Sequence, residues 1–183
     1  NPDDVALLMG GELAKLVVTD PPYGVGLGLD RSCGRPSGRR RHRPIENDDL
    51  TGEDLLSFLS AAFSIAAHHT AGDASWYVWH ASSTRPIFLR ALEAAGVSVH
   101  QEIVWVKESF QLGYADYHWQ HESCLYGWRE KHHFYGGRNQ STVWQVVRER
   151  EGQHPATKPV ELFARPMHNN LKLGELALDM FLG

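Results

Sequence analysis

The tetrapeptide Asp20-Pro21-Pro22-Tyr23 is the segment most suited to chemistry. An amine attached to an aromatic ring is a poor nucleophile, because its lone pair is delocalised into the ring. Two acceptors aimed at its N–H hydrogens would draw the nitrogen towards tetrahedral geometry and free that pair. Asp20 offers a carboxylate, and the Pro21 carbonyl offers a second acceptor. Pro21 and Pro22 fix φ, so the acceptors are set before a substrate arrives. Tyr23 adds an aromatic face on which a base taken out of a duplex could stack. By itself the tetrapeptide also reads as an ordinary turn, since Asp and Pro are common turn residues.

The elements around it decide between these readings. Leu16-Val17-Val18-Thr19 is a short apolar run that predicts a buried strand ending at Asp20. In open α/β sheets, ligands bind at the carboxyl ends of strands. A helix is predicted from Gly52 to His69, capped by Thr51 with Asp54 at the third position. Its apolar stripe is Leu55, Leu59, Ala62, Phe63 and Ala66. Trp76–Trp79 predicts a strand, and Thr84–Ala95 a helix stopped by Gly96. Val97–Val106 and Glu122–Trp128 are further strands. Lys158–Asn169 is a helix with Pro159 in its first turn and Pro166 as its early end or kink, and Leu176–Met180 is a last strand. Strands alternating with helices predict an α/β sheet with helices on its faces.

The 183 residues, 42% hydrophobic and 22% charged, suffice for one domain with a sizeable core. No apolar run reaches membrane-spanning length, and no leader pattern opens the chain. Two cysteines, Cys33 and Cys124, cannot build a disulfide framework, which makes a reducing, cytoplasmic setting the expectation. The net charge of −4 excludes a general polycation, so any nucleic-acid contact must be a local basic patch. Both ends read as cuts within a larger protein.

Three ordered motifs carry a family resemblance. Val17-Val18-Thr19-Asp20-Pro21-Pro22-Tyr23-Gly24 resembles the catalytic motif of the DNA N6-adenine and N4-cytosine methyltransferases. His154-Pro155-Ala156-Thr157-Lys158-Pro159-Val160-Glu161-Leu162 resembles that family's His-Pro-Thr-Gln-Lys-Pro segment, with Ala156-Thr157 in place of Thr-Gln. Leu178-Asp179-Met180-Phe181-Leu182-Gly183 is similar to the start of its Asp-x-Phe-x-Gly-Ser-Gly-Thr cofactor loop. Catalytic motif first and cofactor loop last is the order of the β group, and 118–128 and 139–144 resemble phage-type members. The resemblance implies a Rossmann-like methyltransferase fold with a mixed, mostly parallel sheet, over a partial catalytic domain. It implies S-adenosylmethionine as cofactor and double-stranded DNA as partner. Asp20, Pro21, Pro22 and Tyr23 would be catalytic. His154, Thr157, Lys158, Pro159, Asp179, Phe181 and Gly183 would line the cofactor. Asp at the first motif position favours adenine N6; cytosine N4 is the alternative, since those enzymes more often have Ser. A non-catalytic DNA-binding remnant is the alternative of another class. RNA or protein amide methylation is disfavoured, since that tetrapeptide commonly begins with Asn. A homodimer is compatible with the sequence.

DNA contacts are expected from two segments. Residues 24–50 hold five glycines and Arg35, Arg39, Arg40, Arg41 and Arg43, beside the tetrapeptide. Arginine clusters bind phosphates and fix register, and such a loop is expected to be disordered without DNA. A solvated surface run is the plainer alternative. Residues 107 to 141 are polar and irregular, carry Lys107, Arg129, Lys131 and Arg138, and are the expected target-recognition region. The histidines, including His118 and His121, which with Cys124 are successively spaced by three, lack the paired spacing of a zinc site, and no metal is expected. Cys124 reads as a small core residue, and Trp105, Trp119, Trp128 and Trp144 as core aromatics.

Overall fold

The computed structural model describes residues 2–26, 46–112, 116–147 and 158–181. Helix α1 (Pro2–Met9) precedes strand β1 (Ala14–Thr19). Helix α2 (Gly52–His68), strand β2 (Thr70–His80), helix α3 (Arg85–Ala94) and strand β3 (Ser98–Gln111) follow. Strands β4 (Trp119–Trp128) and β5 (Val143–Gln145), helix α4 (Glu161–Asn170) and strand β6 (Ala177–Leu178) complete the order.

These strands form one sheet in the order β5-β3-β4-β2-β1-β6. β1 pairs in parallel with β2 and β6, and β3 in parallel with β5. Only β4, between β2 and β3, runs against the rest of the described sheet. The mixed, mostly parallel α/β sheet is therefore as expected.

β1 shows why a continuous apolar run marks such a strand: both of its faces are covered. Val17 joins the core layer made with Leu55, Leu59, Phe63, Phe88 and Leu92 of α2 and α3. Leu16 and Val18 join the opposite layer with Tyr77, Trp79, Ile103, Trp105, Trp144 and Leu162 of α4. The α2 stripe is buried at Leu55, Leu59, Phe63 and Ala66, with Ala62 at its margin. α3 stops as expected: Gly96 sits at φ +76, its N–H bonds Glu93 O and the Val97 N–H bonds Leu92 O, a Schellman closure.

Four expectations are corrected. Thr51 stands at the α2 N-cap but makes no side-chain cap hydrogen bond. Pro166 does not end α4, which continues to Asn170; the Asn170 Nδ2 donates to Pro166 O at 2.8 Å inside that last turn. Trp119 is 54% exposed, because β3 and β4 extend as a ribbon past the covered part of the sheet, whereas Trp105 and Trp144 are buried. β3 and β4 are accordingly longer than predicted, and β6 is shorter. α1 and β5 were not predicted. No described helix is long and apolar enough to cross a membrane.

Candidate active site

Asp20 leaves the carboxyl end of β1, where Thr19 is opposite Val78 of β2. The turn that follows is built against α2 and the segment before it. Gly24 has φ +69, and a Cβ there would stand 2.5 Å from Leu55 Cδ2 and 2.6 Å from Leu50 O, so glycine is required twice over. The buried Asp48 carboxylate fixes the turn. Its Oδ1 accepts the backbone N–H groups of both Tyr23 and Gly24 at 3.0 Å, and its backbone carbonyl accepts that of Gly26 at 2.8 Å. Sequence reasoning missed Asp48; the nearest signal was an acidic residue in a polar stretch after a glycine-rich loop.

The tetrapeptide side chains meet a charge chain from three other elements. Tyr23 Oη donates to Asp20 Oδ1 at 2.7 Å. Lys158 Nζ, just ahead of α4, donates to Asp20 Oδ2 at 2.6 Å and to Tyr23 Oη at 2.8 Å. The same ammonium lies 3.1 Å from Glu122 Oε2 of β4, and Lys107 Nζ of β3 lies 2.6 Å from Glu122 Oε1. Trp79 and Tyr23 wall the Lys158 ammonium, at 5.5 Å and 5.1 Å from its nitrogen to their ring centroids. Asp20 keeps 31% of its side chain exposed, while Lys158 keeps 6%. The carboxylate therefore faces outward and the ammonium backs it.

These surroundings set protonation. Burial pushes the Tyr23 phenol well above its ordinary range, and the negative charges of Asp20 and Glu122 push it further, so Tyr23 stays a donor to Asp20. Burial alone would raise Glu122. The Lys158 and Lys107 charges, with their hydrogen bonds, outweigh it and hold the carboxyl below the usual glutamate range.

A second carboxylate ends the neighbouring strand. Asp179 follows β6, and its Oδ1 accepts Thr19 Oγ1 at 2.5 Å and the Phe181 N–H at 3.0 Å. Burial raises its carboxyl above the ordinary range, and the charge of Asp20 adds to this. The ring of Phe181 leans on Phe58 of α2, 5.8 Å between centroids.

The structure thus brings Asp20, Tyr23, Lys158 and Asp179 to one end of the sheet, with Pro21, Pro159 and Phe181 around them. Lys107 is there too, bonded to Glu122. Arg129, Lys131 and Arg138 are not: they follow β4, whose carboxyl end lies beside the start of β2, where Glu130 N bonds Gly72 O. Arg138 lines a cavity of about 270 Å³ with Tyr77, Tyr126, Trp128, Trp144 and Asn169, which contains no tetrapeptide residue. Arg35, Arg39, Arg40, Arg41, Arg43, Cys33, His154, Thr157 and Gly183 lie outside the described residues. Cys124 is buried in β4, as expected. Glu122 was read only as a strand residue; its role depends on partners 15 and 36 positions away.

A strand-end carboxylate turn, on a mostly parallel sheet with helices on both faces, puts the site where open α/β sheets bind their ligands. The family model described as DNA methylase matches residues 14–183, and the chain belongs to that family. The crystal structure of the M1.HpyAVI–SAM complex superposes with a TM-score of 0.64 at 15% identity, covering 97% of this chain and 76% of that one. A second M1.HpyAVI crystal structure gives 0.62 at 14%, covering 97% and 74%. At these identities the likeness is one of fold. No curated protein sequence matches the chain.

Proposed function

We propose that the protein transfers a methyl group from S-adenosylmethionine to the N6 amine of an adenine flipped out of double-stranded DNA. The observation that carries this reading is the Asp20 carboxylate: outward-facing, at a strand end, and held on both oxygens by Tyr23 and Lys158. An oxygen so held still has a lone pair for an amine N–H. As the amine attacks, its nitrogen becomes positive. A fixed carboxylate already in place stabilises that charge without reorganisation. The Pro21 carbonyl is the second acceptor, Pro22 stiffens the turn, and the Tyr23 ring is the stacking face for the base.

The residues present fit the cofactor. Asp20 and Asp179 end adjacent strands, and burial raises the carboxyl of Asp179, with the negative charge of Asp20 adding to this. A cationic ligand beside Asp179 would favour its charged form. Asp179, Phe181 and Pro159 are proposed to hold it, with His154, Thr157 and Gly183 from the motif resemblance. When bound, S-adenosylmethionine supplies an electrophilic methyl on a sulfonium, so direct displacement suffices. The arginines at 35, 39, 40, 41 and 43 are proposed to contact DNA phosphates, as are Lys131, Arg129 and Arg138 at the far end of the sheet.

Asp at the first motif position supports adenine over cytosine, whose N4 enzymes in this family more often have Ser. The test is to supply labelled S-adenosylmethionine and unmethylated genomic DNA, then digest to nucleosides. Label in N6-methyladenosine is expected. Label in N4-methylcytidine would replace the substrate, and no label in either would remove the reading.

A further inference from the structure

The motif resemblance places Lys158 at the cofactor, yet its ammonium lies on Asp20, Tyr23 and Glu122. The side chain is only 6% exposed, so its charge needs partners inside the protein. It has two carboxylates, and the farther one has a second lysine. Along the chain Asp20–Lys158–Glu122–Lys107 the charges alternate, with spacings of 2.6, 3.1 and 2.6 Å. The four residues come from the end of β1, the approach to α4, β4 and β3.

We infer that Lys158, held in turn by Glu122, is a positioning residue for Asp20: it fixes the carboxylate that accepts the target amine, and it does not act by binding the cofactor. This rests on the reading of Asp20 given above. Three features carry it. Lys158 takes one Asp20 oxygen and Tyr23 the other, so the carboxylate cannot swing about its last bond without breaking one of them. The Trp79 and Tyr23 rings flank the ammonium, 5.5 and 5.1 Å from its nitrogen to their centroids. Glu122 is itself anchored by Lys107, which is 11% exposed, so the chain ends in a fixed support and not in solvent. Lys107 acts here as that support. The arrangement spans the sheet from β1 to β3, which makes the Asp20 turn sensitive to strands that do not carry it.

The test is a double-mutant cycle in the protein, with S-adenosylmethionine and unmethylated genomic DNA as probes. Asp20→Asn, Lys158→Met and the pair are compared by single-turnover methylation at saturating cofactor and DNA, beside the equilibrium Kd of each. Lys158→Met keeps most of the stem and removes the charge. It is expected to lower the rate on the order of tenfold to a hundredfold, the scale of a misplaced catalytic group. Both Kd values should stay within a factor of about two, and in the Asp20→Asn background the second substitution should cost no more than that. A merely structural lysine would lower both backgrounds equally. A parental rate for Lys158→Met, an additive loss in the pair, or a weakened cofactor Kd with an unchanged saturated rate each overturns the inference. If Asp20→Asn itself methylates at the parental rate, the reading of Asp20 fails instead. Should Lys158→Met not fold, the near-isosteric Glu122→Gln serves: a loss confined to the saturated rate supports the inference, and a parental rate overturns it.

Discussion

Tyr23 and Lys158 both hold Asp20, and they do so differently. The phenol donates from a neutral O–H to the Oδ1 of the carboxylate, and the ammonium donates from a charged N–H to Oδ2. Both bonds go to a charged group, where each is worth about 1.5–3 kcal/mol net, and the ammonium adds its own charge. Tyr23 therefore contributes both its hydroxyl, as the second hold on Asp20, and its ring, which stands edge-on to Phe88, 6.4 Å between centroids. Tyr23→Phe, which keeps the ring but releases Asp20 Oδ1, is expected to lose part of the methylation rate, and Tyr23→Ala to lose far more, together with capture of the base. Single-turnover methylation and DNA binding of the two variants check this. A Phe variant as damaged as the Ala variant would make the hydroxyl, not the ring, the working part.

At the scale of elements, the proposed catalytic turn is a loop locked onto a helix. Asp48 precedes α2 and bonds two backbone N–H groups of the turn, while Gly24 lies flat against Leu55 in the first turns of α2. Asp48→Ala leaves both N–H groups without their carboxylate, at a cost on the order of 1.5–3 kcal/mol. A lowered thermal midpoint is expected, together with a methylation rate lower than the stability loss explains; Asp48→Asn, which retains an acceptor, should recover much of both. An unchanged midpoint for Asp48→Ala would mean that the turn stands without it. Legibility follows the same division. β1, α2 and α3 were readable because periodicity and a stop signal are local: the apolar run Leu16-Val17-Val18, a 3.6-residue stripe, and Gly96. β5 was not, because three residues become a strand only when Val104 to Val106 of β3 pair with them. α1 was not, because it buries only Met9 and leaves Leu7 and Leu8 exposed.

For the molecule as a whole, the site is a meeting point of distant segments, and that governs what a sequence can reveal. Asp20 and Tyr23 were legible because they are neighbours in a motif. The roles of Asp48, Glu122 and the Lys158 ammonium were not, since they are created by the sheet order that brings β1, β4 and the approach to α4 together. The same order puts Arg129 at the end of the sheet away from Asp20, although Lys107, in the same expected recognition segment, sits beside it. With a net charge of −4, DNA is expected to be held through such local groups and not through the whole surface. Binding and chemistry should therefore separate cleanly. The most direct measurement is single-turnover methylation by Asp20→Ala, beside its equilibrium affinities for S-adenosylmethionine and DNA. The account predicts a rate at least about a hundredfold lower, the usual cost of removing one preorganised partner of the developing charge, with both affinities close to the parent's. Methylation by Asp20→Ala at near the parental rate would contradict it.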